Sequence, residues 1–318
     1  MFRFSLILLG IVLLFIEKLY QPFTIKIQLI IFLSGIVLLG IPHGAADLLV
    51  ESRNSFHEGK KFSIPVFFLK YVGRLLSFGV LMYFFPFAGI LIFILFASYH
   101  FGETDLHQFK TDTIPGKLFV TSYGLLILLV ILLNHTVEVK ELLMAFPSTA
   151  SNYSFIDWLG VHKEPILSFG GLLFFTSTFI YFSTSGDGQS DQGKFIFQFA
   201  ILILIIYNLP LILGFSFYFI VWHSVLSLRN ITAYLTRDGV SVLKIALQIF
   251  IYSTIAMVGI VLFGYAGVAF SNMNAMIIYI LMGLAVLTAP HMQVMHSMYN
   301  LIRSYHGEKV KSVDLSVN

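Results

Sequence analysis

The chain contains no cysteine and few charged residues. None of its 318 residues is Cys, which excludes disulfide bonds and thiolate metal sites, so that any metal would be bound by His, Asp, Glu or backbone oxygen. Only 11% of the residues are charged, the formal net charge is +3, and no basic run indicates nucleic acid binding. Because 58% of the residues are hydrophobic and the mean hydropathy is +0.88, we predict an integral membrane protein rather than a soluble one.

Long apolar runs fill most of the sequence. A transmembrane helix needs about 20 mostly apolar residues, and the runs predict an all-α, polytopic bundle of about ten (8 to 10) membrane-spanning helices in one domain, residues 1–318. The predicted spans lie near 4–16, 27–45, 64–84, 87–104, 117–133, 166–182, 195–209, 211–228, 243–268 and 275–301. The first is predicted to be retained, because no small-residue cleavage site follows it. Two boundaries depend on Pro86 and Pro210, where a single kinked helix would give the same pattern.

Polar segments separate the predicted spans and orient them. We predict loops over residues 51–63, 105–117, 134–165 and 183–194, the last being flexible because it is rich in Gly, Ser and Asp. With ten spans, one side of the membrane carries 15 of the 19 Lys and Arg residues. Since basic residues favour the cytoplasmic side, both termini are predicted to be cytoplasmic.

The ten histidines divide into two groups of five. One group lies in the polar segments or the C-terminal tail and is predicted to be solvated only: His57, His107, His135, His162 and His306. The other group lies in the C-terminal halves of predicted spans two, four, eight and ten: His43, His100, His223, His291 and His296. Those four helices run in the same direction, so their imidazoles are expected at one depth. A lone intramembrane His can simply hydrogen-bond a neighbouring helix, but four helices contributing imidazoles at one level predict a metal or cofactor site.

The residue types around these histidines limit the choice of metal ion and suggest which residues orient its ligands. Several imidazoles without thiolates suit Fe(II), Cu or Zn better than Mg or Ca. Asp47 follows His43 by four residues and Glu103 follows His100 by three, so each carboxylate is predicted on the helical face of its histidine, orienting the ring, with Asp105 as the next candidate. The alternative is that these carboxylates are merely polar residues at helix ends.

Four segments carry a resemblance to a known family: "GIPHGAADLL", "ASYHFGETDLHQF", "VWHSVLSLRN" and "LTAPHMQVMHSMY". In order and spacing they resemble the Brp/Blh family, the membrane carotene dioxygenases of bacteria and archaea. The resemblance implies a non-haem Fe(II) enzyme of the inner membrane that cleaves the central double bond of β-carotene with O₂ to give two molecules of retinal. It also implies a functional link to a retinal-binding rhodopsin. The chain is not itself expected to be one, because no lysine lies between Lys244 and Arg303 to form the Schiff base.

The resemblance also implies the iron ligands. The family's motifs match three histidines of this chain: His43, His100 and His223. The family usually has a further His four residues after the one in its W-H-S motif, where this chain has Ser227, which would lie beside the ligands. His291 is the expected replacement and His296 the next. A site of three histidines with water, or a member with lost or altered activity, remains an alternative. No catalytic residue is expected beyond the ligands.

Aromatic residues next to two of the ligand motifs could line a tunnel for the polyene. Tyr99 and Phe101 flank His100, and Trp222 precedes His223. Ordinary packing in a membrane helix would account for the same residues. A substrate tunnel is therefore predicted from their position beside the histidines rather than from their number.

Other functions predict other patterns. A transporter could use the Pro/Gly-interrupted segments "GIPHG" and "YNLPLILG" as a midplane site, although inverted repeats are not evident in the sequence. A membrane di-iron desaturase would need clustered histidine boxes, whereas His291 and His296 are five residues apart. A haem protein with two axial histidines on facing helices is a further alternative.

Overall fold

The computed structural model describes residues 2–144, 151–185, 189–263 and 273–315, and within these ranges the chain forms helices joined by short connections. Parts of two predicted loops, 145–150 and 186–188, and the end of the predicted ninth span lie outside the described residues. The helices are α1 (Phe2–Phe15), α2 (Ile25–His57), α3 (Ile64–Phe84), α4 (Pro86–Asp105), α5 (Ile114–Leu133), α6 (Thr136–Met144), α7 (Ser151–Val161), α8 (Lys163–Thr184), α9 (Gln189–Asn208), α10 (Leu211–Leu235), α11 (Val242–Phe263) and α12 (Met273–Leu315).

The helices confirm the predicted membrane bundle. Among the described residues, seven are long and apolar enough to cross a bilayer: α2, α3, α4, α5, α8, α10 and α11. Helices α1, α9 and α12 cover the other predicted spans. Both proline boundaries are true helix ends, since α4 begins at Pro86 and α10 begins directly after Pro210. Proline has no N–H to donate and fits the first turn of a helix, which is why new helices start there.

Two predicted loops are largely helical. Helix α2 continues to His57 instead of ending near residue 45, because its polar residues find partners on other elements. Tyr234 donates a hydrogen bond to Asn54 Oδ1 (2.8 Å), and Arg53 Nη1 pairs with Asp238 Oδ2 (2.6 Å). The predicted loop over 134–165 likewise contains α6 and α7. Polarity in these segments therefore indicated pairing between helices rather than the absence of helix.

Four helices form the centre of the bundle. Helix α10 packs against α2 and α4, and α12 closes the ring by packing against the same two helices. Behind α4 lies α5, which approaches it closely at two glycines. A Cβ added to Gly102 would lie 2.0 Å from the Val120 carbonyl oxygen, and one added to Gly124 would lie 2.0 Å from that of Ser98. Small residues at such crossings let helix backbones touch, a common device in membrane bundles.

The two flanks of this ring differ in packing. On one flank, 67% of the apolar window of α5 is buried, and α8 packs on its outer side. On the other flank, α3 and α11 are peripheral, with 6% and 17% of their windows buried. The central helices are therefore closely covered on one side and loosely covered on the other.

Basic side chains collect at one end of the bundle. Arg3 donates to the Asp105 carbonyl at the end of α4, and Arg229 lies over the Phe2 ring with 4.8 Å to its centroid. Arg303 Nη2 pairs with Glu103 Oε1 at 2.9 Å. These residues lie where the charge pattern predicted them, on the side of the N-terminus and of the C-terminal ends of α4 and α10.

Candidate metal centre

Four of the five intramembrane histidines meet in the centre of the helix ring. His43 comes from α2, His100 from α4, His223 from α10 and His291 from α12. Their residues are 4%, 2%, 0% and 6% exposed, so all four imidazoles are removed from both water and lipid. The structure thus brings together four of the five histidines that were predicted to lie at one depth.

Three of the four rings are close enough to share one small ion. His43, His100 and His291 each offer one ring nitrogen such that all three nitrogens lie within 4.8 Å of one another. His223 stands beside them, with its ring centroid 5.0 Å from that of His100 and 5.5 Å from that of His43. A metal–imidazole bond of about 2.1 Å would place ligand nitrogens roughly 3 to 4 Å apart, so binding by His43, His100 and His291 requires only a small contraction.

Irregular helical turns precede two of these histidines. A π-helical turn over Ile36–Gly40 comes just before His43, and a π-helical stretch over Ser216–Ser224 contains His223. Pro42 lies inside α2 and cannot donate to the carbonyl four residues earlier, and the wider turn before it accommodates this interruption. Turns of this type are rare and frequently occur at functional sites.

The ring nitrogens supply a set of unused ligand atoms. Within the described residues, His43 Nδ1, both ring nitrogens of His100 and of His223, and His291 Nε2 are buried without a hydrogen-bond partner. Leaving one buried polar atom unsatisfied costs about 1 to 3 kcal/mol. Several such atoms in one cluster are therefore costly as a purely structural arrangement. Neutral imidazoles without thiolates fit Fe(II), Cu or Zn, so the residues present fit a transition-metal ion.

Asp47 is linked to the cluster through His291 rather than through His43. His291 Nδ1 donates to Asp47 Oδ1 (2.7 Å), and the Tyr71 hydroxyl donates to Asp47 Oδ2 (2.9 Å). The carboxylate fixes the tautomer of His291 and leaves its Nε2 free for the centre of the cluster. Tyr71, on α3, was not found from the sequence, because nothing local to it differs from an ordinary membrane tyrosine.

Asp105 supports His223 from a fully buried position. Its Oδ2 accepts hydrogen bonds from the Trp222 indole N–H (2.9 Å) and the hydroxyls of Tyr123 (3.0 Å) and Tyr218 (3.2 Å). Its Oδ1 lies 3.7 Å from His223 Nδ1, too far for a hydrogen bond, so that the carboxylate lies beside that ring without bonding to it. Trp222, expected in a substrate tunnel, thus holds a carboxylate instead.

Glu103 and His296 belong to a separate cluster nearer the basic end. His296 Nδ1 donates to Glu103 Oε1 (2.9 Å), and Asn300 Nδ2 donates to His296 Nε2 (3.0 Å). Both ring nitrogens of His296 are therefore engaged, and 42% of its side chain is exposed. The Tyr99 hydroxyl also points to Glu103 (3.4 Å). The geometry brings His291, and not His296, to the other three imidazoles.

A cavity of about 590 Å³ reaches the four imidazoles. Apart from the histidines and Asp47, its lining is almost wholly aliphatic and aromatic, and it includes Phe101 and Phe219. Of the three aromatic residues predicted to line a tunnel, Phe101 contributes to this cavity, whereas Tyr99 and Trp222 are not among its lining residues. Ser227 is buried one turn after His223 and is also not among them.

Some of the histidines predicted to be merely solvated are mostly buried. His107 Nδ1 lies 3.1 Å from the Thr104 carbonyl, and burial lowers the pKa of His107 from 6.5 to about 4. It therefore stays neutral at pH 7 beside the basic end of the bundle. His57 is also covered, with 9% of its side chain exposed next to Asp238. The side chain of His306 lies outside the described part of the chain.

Comparison with known proteins gives one match. Residues 34–299 match the family model described as β-carotene 15,15′-dioxygenase. No curated protein and no solved structure matches the chain. The matched range includes all four clustered imidazoles, both supporting aspartates and every residue that lines the cavity.

Proposed function

Since the chain belongs to the β-carotene 15,15′-dioxygenase family, we propose that it is a membrane enzyme that cleaves the central double bond of β-carotene with O₂, giving two molecules of retinal. The observation that carries this proposal is the convergence of four buried imidazoles on one apolar cavity. The family supplies the reaction type, and the donor set supplies the reason to expect a metal.

We assign the ligands to His43, His100, His223 and His291. Ferrous iron held there would supply the activation of O₂ beside the conjugated double bond, because neutral imidazoles leave coordination positions open. His291 takes the place of the histidine that the family usually has at the position of Ser227. His296 is the weaker alternative, because both of its ring nitrogens already have partners.

The protein residues around the ligands hold rings and exclude water rather than transfer protons. Asp47 accepts a hydrogen bond from His291 Nδ1 (2.7 Å) and so fixes that ring, and Asp105 lies beside His223 with 3.7 Å between its Oδ1 and the ring Nδ1. Mutation of such supporting groups in metal sites typically weakens metal binding 10- to 100-fold. The aliphatic and aromatic lining excludes water and orients a ligand that has no polar group of its own.

The position of the imidazoles along the cavity suits cleavage in the middle of a long polyene. On α2 the lining includes Gly40 before His43 and Leu48 after it. On α12 it includes Leu284, seven residues or about 10 Å before His291. Apolar walls thus continue on more than one side of the imidazoles, as a substrate cut at an internal bond requires.

The same proposal includes the cellular setting. The enzyme would lie in the inner membrane of a bacterium or archaeon, with both termini cytoplasmic, because the basic residues gather at the end where the chain begins. Its retinal would then be available to a retinal-binding rhodopsin in the same bilayer. A transporter remains the non-enzymatic alternative, and it predicts uptake without conversion.

Expression in cells that make β-carotene tests the proposal. We expect the pigment to bleach and retinal to appear with the wild-type chain, and neither to occur with His43→Ala or His100→Ala. His162→Ala, on the connection before α8, is the matched control and should behave as wild type. Purified wild-type protein should contain stoichiometric iron that both inactive variants lack. Unchanged pigment beside full-length, membrane-inserted wild-type protein would refute the enzymatic proposal.

A further inference from the structure

We infer that the polyene enters the cavity sideways from the bilayer, through a lateral opening between α3 and α11. The identity of the ligand rests on the proposed function, whereas the opening itself rests on the geometry of these two helices. We call it the lateral portal and define its rim by Ile64 and Phe68 of α3 and Ile255 and Ile260 of α11.

The rim residues border both the cavity and the outer surface of the bundle. Each of the four lines the cavity, yet their exposed fractions are 53%, 49%, 63% and 51%. A side chain that borders the cavity and is also half exposed lies where the cavity wall meets the outer surface of the bundle. Because two rim residues lie on each of two helices, the cavity reaches the surface between those helices.

The surface on which the portal opens faces hydrocarbon. Helices α3 and α11 are peripheral spans whose other outward side chains, such as Leu69 and Phe250, are 76% and 67% exposed. Ile64 is the first residue of α3, close in sequence to the exposed Lys60 and Lys61, whereas Ile260 lies near the far end of α11. The rim therefore runs from near the basic end of the bundle to near the opposite end of α11.

The chemistry of the rim selects what passes. Its four side chains are aliphatic or aromatic, so a hydrocarbon crosses the rim without losing hydrogen bonds, whereas an ion or sugar would lose its hydration with no replacement. At the basic end, in contrast, charged groups join the helices. Arg303 bridges Glu103 (2.9 Å) and Asp112 (2.7 Å) there, which makes a water-borne route to the imidazoles unfavourable for a polyene.

Ala256 is the position at which the portal can be narrowed. It lies next to Ile255, lines the cavity and has the smallest side chain that α11 contributes to the wall. Ala256→Trp should fill the passage without touching an imidazole. We expect cleavage of β-carotene in phosphatidylcholine vesicles to slow at least tenfold, with unchanged iron content. Leu69→Trp, equally bulky but on the outward face of α3, should leave the rate at the wild-type value.

A reversible closure separates blocking from misfolding. Because the chain has no cysteine, Phe68→Cys combined with Ile255→Cys provides the only two thiols for a bis-maleimide that contains a cleavable disulfide. Cross-linking should stop turnover, and reduction of the linker should restore it. The control is Leu69→Cys combined with Phe250→Cys, on the outward faces of the same two helices, which should keep most of its activity after the same treatment.

Occupancy can be measured without turnover. A membrane-soluble maleimide should label Ala256→Cys at least threefold more slowly when the vesicles contain β-carotene, whereas labelling of Leu69→Cys should not change. If the wild-type protein fails to cleave β-carotene but this protection occurs, the proposed function fails and the portal stands. If the wild-type protein cleaves β-carotene and neither Ala256→Trp nor the cross-link slows it, the portal is refuted and the proposed function stands.

Discussion

The two flanks of the central helix ring are built for different tasks. On the α5 flank, glycines let helix backbones touch and aromatic rings stack, as in the pair Phe119 and Tyr181 with 4.8 Å between centroids. On the flank of α3 and α11, side chains leave a cavity that leads to the imidazoles. One flank holds the ligand-bearing helices in place, and the other leaves space beside them.

This contrast explains how one chain can be both rigid and accessible. A metal site needs ligands fixed within a fraction of an ångström, which close packing provides. A large apolar ligand needs space, and a cavity reduces stability because its lining loses packing partners. Separating the two requirements onto opposite flanks confines the cost of the cavity to peripheral helices.

The largest effect is expected from adding a methyl group on the closely packed flank, where α4 meets α5. Gly102→Ala would place a Cβ 2.0 Å from the Val120 carbonyl oxygen, so α4 and α5 must separate. Overpacking costs typically 1 to 3 kcal/mol and occasionally more, and backbone contact favours the upper end, about 3 kcal/mol. We expect Tm in detergent to fall by roughly 10 °C and iron to be lost, since Gly102 is two residues from His100.

Gly73→Ala is the matched control on the loosely packed flank of α3 and α11. Gly73 lies in α3 with nothing within 4 Å of an added Cβ, so the change should stabilise its helix by up to about 1 kcal/mol. Equal melting temperatures for the two variants would show that the flanks do not differ in packing as described.

The second effect concerns which α12 histidine serves the cluster. His291→Ala should reduce iron to well below one equivalent and lower activity more than 100-fold, because its Nε2 is unpartnered and faces the other rings. His296→Ala should retain stoichiometric iron, since that ring is engaged by Glu103 and Asn300. Metal analysis of both purified variants decides between them, and the opposite pattern would move the fourth ligand to His296.

A smaller effect is expected from replacing Asp105, which contacts α5 and also lies beside the imidazole cluster. Asp105→Asn retains an oxygen but removes the charge that faces His223 Nδ1 and accepts from Tyr123 of α5. We expect iron affinity to fall 10- to 100-fold with the protein still folded. Asp112→Asn, at an exposed carboxylate near the same end, should bind iron like the wild type. Titration of the metal-free proteins with ferrous iron compares the two.

The smallest expected effect is a pH dependence at the basic end. Burial lowers the pKa of His107 from 6.5 to about 4, so its contribution to stability is complete above pH 6.5. Between pH 6.5 and 4 the unfolded chain takes up a proton that the folded chain does not, and this contribution is lost. Tm should therefore fall less between pH 7 and 5 in His107→Gln than in wild type. An identical slope in both proteins would mean that His107 titrates normally.

The sequence predicted the bundle and the depth of the imidazoles for one reason: both follow from apolar length and from the alternation of helix direction. It could not predict how far each helix is rotated about its axis, which depends on packing across the bundle. This is why Asp47 was assigned to the wrong partner, His43, although it faces His291 on another helix.

The same limit explains the residues that were missed or misplaced. Tyr71, Tyr123 and Tyr218 acquire their importance only because a carboxylate from another helix reaches them. Trp222 adjoins His223 in sequence, yet its indole turns away from the cavity toward Asp105. The π-helical turns also leave no clear sequence signal, apart from Pro42 in the first case.

The hydrogen bonds at Asp105 join α4, α5 and α10 through protein groups alone. The polypeptide therefore fixes the carboxylate beside the His223 ring by itself, and this side chain would lose little further conformational entropy if a metal bound. A metal site that is preformed in this way could bind its ion after the chain has inserted into the membrane. It could also bind an ion again after the first has been removed. The fraction of the protein that carries iron would then depend on the supply of iron in the cell rather than on folding.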